Sequence, residues 1–389
     1  RQMCIRDRGN IVPGLLSYLV FVGWETVLVA LSALATETVL SSVGHVSENL
    51  ARVLGFVIAA GLTIAGGVLG FSVIMRIQRW LTIATLILSL GYMALTISRV
   101  NWDALKQLPS GNVQALIGAT IFGIAGIGLG WVNSAADYSR YLPRNSSSRG
   151  VVGWTIFGAS LVPIIMVIYG ALLAGSSKDL NAGISMDPIG ALTKVLPTWY
   201  LIPFACVAVL GLVGGAILDL YSSGITLVSI GLPVKRHVAA SIDAVIMTLG
   251  TIYFVWIASD FFGAFQGFLI TLGVPIAAWS GIFVADVILR KKDYDEKSLF
   301  SSNGIYGSWN MRSILLLGFG TFVGWGFVTN TFAGWLSWQG YLLGLIGGKS
   351  GAWASTNIGV VIALAIGFFG YVLFNRSKVN KQEETNFSS

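Results

Sequence analysis

Ten apolar runs of about twenty residues, parted by short polar breaks, limit what this 389-residue chain can become more than any motif does. They lie near residues 12–36, 54–75, 80–98, 113–134, 152–175, 200–231, 238–258, 262–288, 313–332 and 355–375. Each can cross about 30 Å of hydrocarbon as a helix. The runs are continuous rather than alternating, and they exceed the roughly 10-residue strands of a membrane barrel. The expected fold is therefore all-α and polytopic, with ten transmembrane helices. Only 11% of the residues are charged, against about 25% in soluble domains, which excludes a water-soluble globule.

The net charge of +7 does not form a nucleic-acid patch, because the basic residues are scattered between the runs. Their distribution instead sets an orientation. The segments 1–10, 76–79, 137–150, 232–237, 289–312 and 376–389 hold 18 Lys and Arg, while the alternate loops hold six: Arg52, Arg99, Lys106, Lys178, Lys194 and Lys349. By the positive-inside rule both termini are cytoplasmic, in the inner (plasma) membrane. Cys4 and Cys206 are too isolated for a disulfide framework or a metal site. No signal peptide is recognisable. Three regions follow: 1–10, a stub that is non-native or cytoplasmic; 11–375, the transmembrane domain; and 376–389, a polar tail expected to be disordered.

Ionisable groups deep in a span cost about 2.5–3.5 kcal/mol and are functional candidates by default. Glu25, halfway along the first run, and Asp219, in the sixth, are the two central ones. Asp137, Asp243 and Asp286 fall near run ends and read as interface charges. The fourth run carries Gly123, Gly126, Gly128 and Gly130 before Trp131, then turns polar at Asn133, Ser134 and Asp137. Either the helix breaks there, exposing backbone to a solute, or the glycines form a close helix–helix face. Trp24 and Trp131 are interior aromatics, which fits core packing or stacking on a flat ring. No phosphate-binding loop, paired histidine motif or nucleophile elbow occurs, and His45 and His237 fall in loops, so nothing points to an enzyme or a cofactor.

The stretch Gly130-Trp131-Val132-Asn133-Ser134-Ala135-Ala136-Asp137-Tyr138-Ser139-Arg140-Tyr141-Leu142-Pro143 resembles the sixth helix of the purine–cytosine permeases, the nucleobase–cation symporters related to hydantoin transporters. Gln78-Arg79-Trp80, Leu218-Asp219-x-Tyr221-Ser222-x-Gly224, Gly273 to Gly281 with Asp286, and Tyr306-Gly307 match in the same order. The resemblance implies a twelve-helix transporter whose first ten helices form two inverted five-helix repeats. It makes the first run here the family's third helix, so the chain is expected to lack the first two. It also implies that Trp24 and Trp131 sandwich a planar base, that Gly130 backbone bonds its edge, and that Asn133 lies close by. Asp219 stands where relatives carry an Asn, and Leu28 where they carry an amide; Glu25 is a candidate to compensate. Sodium-coupled relatives place a Ser/Thr pair where this chain has Val213-Gly214, so the resemblance favours proton over sodium coupling, with Asp219 as the proton carrier.

The expected function is a secondary active transporter importing cytosine, a purine or a related flat heterocycle by cation symport. Its partners are that small molecule and the lipid bilayer, it needs no cofactor beyond H+ or Na+, and it is read as a monomer. The alternatives are a carrier of amino acids or other solutes on the same inverted-repeat fold, and a non-transporting integral membrane protein.

Overall fold

The computed structural model describes residues 8–385 apart from 45, 68–70, 140, 144, 232, 234, 259, 300, 302–303 and 331–333. Residues 1–7 of the N-terminal stub, His45, Arg140 of the sixth-helix motif and residues 386–389 thus lie outside the described residues. Every apolar run forms a helix: α1 Ile11–Gly44, α2 Glu48–Gly67, α3 Phe71–Thr96, α4 Val113–Gly123, α5 Ser148–Ser176, α6 Thr198–Ser229, α7 Arg236–Ile252, α8 Phe261–Leu289, α9 Met311–Gly326 and α10 Gly359–Thr385. Among the described residues there is no strand, and nine spans are long and apolar enough to cross a membrane. Pro163, Pro203 and Pro275 sit inside α5, α6 and α8. In lipid such prolines are tolerated because neighbouring helices satisfy the carbonyls they release.

The ninth run is shorter as a helix than its hydropathy suggests. α9 has 16 residues and ends at Gly326, not at 332. Its last carbonyls are taken by a returning loop, with Gly340 N–H donating to Trp325 O at 2.9 Å and Leu342 N–H to Gly326 O at 2.9 Å. Asn330 then reaches α8, donating to Gly267 O at 3.2 Å and to Thr271 Oγ1 at 3.0 Å. Those bonds hold the chain against α8 instead of letting it extend.

The tail corrects the sequence reading. Residues 376–385 continue α10 as helix rather than disorder. Asn375, Val379 and Gln382 are buried at helical spacing. Glu383 Oε1 accepts from the backbone of Lys291 at 2.6 Å and of Lys292 at 3.0 Å, just past the end of α8. A polar composition suggests solvation, yet this face is covered by packing.

Two helix families meet at α1. One joins α1 to α2, α6 and α7; the other joins α8, α9 and α10, whose apolar core includes Ile270, Val274, Ala278, Ile282 and Ala363. Glycines set the distance in the second group. A Cβ at Gly281 would lie 2.2 Å from Leu364 O, and one at Gly367 would lie 2.2 Å from Ala278 O, so α8 and α10 touch backbone to backbone. Gly318 on α9 meets nothing within 4 Å. Gly281→Ala should therefore destabilise by about 1–3 kcal/mol through overpacking, while Gly318→Ala leaves stability unchanged or slightly raised. Thermal unfolding of the two variants in one detergent checks this.

Candidate functional site

The fourth run is interrupted where its glycines lie. Asn112 caps α4, accepting from Ala115 N–H at 2.7 Å. The chain then widens into a π-helix over Ile124–Leu129, makes one α-turn at Gly130–Val132, turns at Asn133 and Ser134, and resumes as Ala135–Ser139. A Cβ on Gly123 or Gly128 would meet nothing within 4 Å, and one on Gly126 would touch only Leu269 at 3.6 Å. These glycines are thus not a helix–helix packing face. They loosen the helix instead.

Gly130 is different. A Cβ there would stand 3.2 Å from Trp24 Nε1, so its lack of a side chain admits the α1 indole against the break. Trp24 is held edge-on by two α8 rings, Phe265 at 5.4 Å and 76° and Phe268 at 6.3 Å and 82°. Val20, Leu129, Gly130, Phe268 and Gly273 close the pocket around it and leave about 10 Å³, the room of one water. Trp131 does not line this pocket. It is half-exposed and leans on Tyr138, ring centroids 6.4 Å apart. Asn133 is buried, and its Oδ1 accepts from Ser17 Oγ at 2.9 Å, which ties the break to α1 a second time.

Glu25 adjoins Trp24 in sequence but faces another way, since consecutive helix positions diverge by about 100°. Its carboxyl is wholly buried and within hydrogen-bonding reach of Asp243 on α7 and Ser223 on α6. Asp243 is equally buried, which corrects its reading as an interface charge. It accepts from Ser223 Oγ and lies within reach of the Tyr18 hydroxyl. Asp219, partly buried on α6, lies within Coulombic range of Glu25, Asp243 and Tyr138. Asp286 is no interface charge either: it is fully buried, ion-paired to Arg290 at 3.1 Å, and accepts from Tyr294 and Tyr371. Asp137, on the short helix after the break, is partly buried.

The motifs that carry the resemblance bind one another. Tyr138 hydroxyl donates to Leu218 O at 3.5 Å, and the hydroxyls of Tyr141 and Tyr221 bond at 2.9 Å. Gln78 Nε2 donates to Gly214 O at 2.6 Å, and a Cβ on Gly214 would lie 2.8 Å from that nitrogen. That bond ties α3 to α6 at the Val213-Gly214 position. Leu28 covers the adjoining glycine, its Cδ1 3.0 Å from where a Gly215 Cβ would be. Among the described residues no three His, Cys, Asp or Glu converge as metal ligands.

Asp243, Gln78, Phe265 and Phe268 were not anticipated. For Asp243 the signal is periodic: Ala239, Ala240, Asp243, Ala244, Met247 and Thr251 form one buried stripe of α7. The phenylalanines carry no such mark, since α8 is apolar all round.

The chain is 24% identical over 260 residues to the "Putative purine-cytosine permease YxlA" of Bacillus subtilis, and 26% identical over 183 residues to purine-cytosine permease FCY21 of Saccharomyces cerevisiae. These matches cover 65% and 45% of this chain and 53% and 32% of the relatives, so the chain spans about half or less of the length of each. Among solved structures it is similar to Mhp1, a nucleobase-cation-symport-1 family transporter, in a closed conformation with bromovinylhydantoin bound: TM-score 0.62, 16% identity, 98% of this chain and 81% of that one. Mhp1 in its inward-facing conformation gives a TM-score of 0.61 at 17% identity, covering 98% of this chain and 80% of that one. At such identities the likeness fixes the fold alone. Residues 7–372 match the family described as permeases for cytosine/purines, uracil, thiamine and allantoin, and the chain belongs to that family.

Proposed function

We propose that this chain forms the transport core of a secondary active importer for cytosine, a purine or a related flat heterocycle, working by cation symport and alternating access. The observation that carries the reading is Gly130 laid against Trp24 within the broken span. A base seated there replaces the Phe268 edge on the Trp24 face, bonds to the backbone freed by the π-segment, and gains Trp131 as its second plate. Asn133 holds the break in place through Ser17. Three carboxyls, Glu25, Asp219 and Asp243, lie on the α1–α6–α7 side. Their charge opposes the carboxylate of an amino acid, which weighs against that rival.

The coupling ion in this reading is a proton, with Asp219 as a carrier. The Gln78 amide supports it, because its N–H engages the Gly214 carbonyl, a backbone oxygen that a sodium ion at this position would use. In this reading the protein works as a monomer in the inner membrane, and the loop charges support cytoplasmic termini.

Cells expressing the full-length protein should accumulate at least one of radiolabelled cytosine, uracil, adenine, hypoxanthine or allantoin; uptake of none of them removes the proposal. Trp24→Ala and Trp131→Ala should each weaken binding by the worth of one stacked base, about 1–3 kcal/mol, or roughly five- to 150-fold in Kd. Equilibrium binding to purified protein reads this, and an unchanged Kd in both variants discards the aromatic seat.

The contact between the break and α6 is testable separately. Tyr141→Phe and Tyr221→Phe should each cost about 0.5–1.5 kcal/mol of stability. The double substitution should cost little more than either alone, since both remove one bond. A double-mutant cycle in detergent unfolding measures that coupling.

A further inference from the structure

Glu25 and Asp243 lie where two helices could have met through apolar side chains at no electrostatic cost. Both are fully buried in the helix bundle. Glu25 Oε1 and Oε2 and Asp243 Oδ1 meet no donor with hydrogen-bond geometry, and the one Ser223 hydroxyl near both is given to Asp243. The groups facing them are Tyr18 from α1, Asp219 and Ser223 from α6, and each other across α1 and α7. Among the described residues no Lys or Arg is paired with any of the three carboxyls. The charges on the other packed helices are engaged elsewhere: Arg52 of α2 forks onto Glu37 at 2.7 and 2.8 Å, and Asp286 of α8 is held by Arg290. Two buried carboxyl groups facing each other, with three of their four oxygens lacking a donor and no cation beside them among the described residues, are bridged by a proton.

We propose that Glu25 and Asp243 form a proton-sharing carboxyl pair and that loading and unloading this pair is the coupling step of transport. With one proton the pair carries a single negative charge. A second proton neutralises it, and release restores the charge, the proton coming from and returning to water by way of the membrane gradient. Asp219 faces the pair on one side and Tyr138 on the other, so it relays between the pair and the segment that follows the helix break. Loading the pair removes its remaining charge and with it the repulsion from Asp219 of α6, and α1, which carries Glu25, also carries Trp24. The proton and the base thereby act on one helix from two faces. This inference rests on the proton-coupled reading above, moving the primary site from Asp219 to the pair.

The test is made on purified full-length protein without substrate, by infrared difference spectroscopy over a pH titration. The carbonyl-stretch band of a protonated carboxylic acid should be present in the wild type and should weaken in both Glu25→Gln and Asp243→Asn. Ser223→Ala keeps both carboxyls while removing the donor to ionised Asp243. It should move the midpoint of the band toward higher pH by up to about one unit, tenfold in proton concentration. In uptake assays the wild-type apparent affinity should change by up to about tenfold per pH unit across the titration, and Asp243→Asn should flatten that dependence. A band that persists in full in both carboxyl variants, with an unmoved midpoint in Ser223→Ala, overturns the pair. Should no base be taken up, the spectra still decide the pair; should uptake proceed without the band, only the pair falls.

Discussion

Successive side chains on an α-helix point about 100° apart, and α1 uses that divergence to serve two neighbours at once. Trp24 faces α8 and the glycine of the broken span, while Glu25 faces α6 and α7. An aromatic seat and a set of carboxyls are therefore mounted back to back on one rod. Neither can shift without the other feeling it, because the interior between them is packed: Val27, Val29, Ala30 and Ala33 are fully buried.

The rest of the molecule holds that rod in register. At one face of the bundle Thr38 of α1 donates to Asp187 at 2.8 Å, and Asp187 in turn caps the short helix Pro188–Thr193. At the other, Arg290, Asp286, Tyr294 and Tyr371 lock the end of α8 to α10, with Glu383 closing the loop beyond. The glycine contacts of α8, α9 and α10 make a close-packed block against which α1 rests. The outer helices α3 and α5 keep long rows of exposed apolar side chains, such as Ile83, Leu86, Ile87 and Leu90 or Ile164, Val167 and Ile168. That is the surface lipid solvates.

Much of this was legible before any coordinates. Hydropathy finds the helices because a span must satisfy its own backbone, and the glycine cluster marks the break because glycine weakens a helix wherever it is placed. Trp24 and Gly130 prove to be neighbours, whereas Trp131, which the resemblance puts opposite Trp24 across a base, leans on Tyr138 outside the small pocket. What escaped were features that need two periods at once. Asp243 lies close to a run end by hydropathy, but the buried stripe of α7 passes through it. The tail looks solvated by composition, yet Asn375, Val379 and Gln382 repeat at helical spacing. Gln78 could not be foreseen at all, since its partner is a backbone carbonyl more than a hundred residues away.

The π-segment at Ile124–Leu129 stores one residue more per run of turns than an α-helix would. Tightening it to α geometry would rotate everything beyond it by one position without unravelling the span. Leu129 would then come to the station that Gly130 now occupies, opposite Trp24. A bulge of this kind acts as a ratchet tooth: by taking up its slack the chain can exchange a small side chain for a larger one at a fixed point, the segment beyond turning with it.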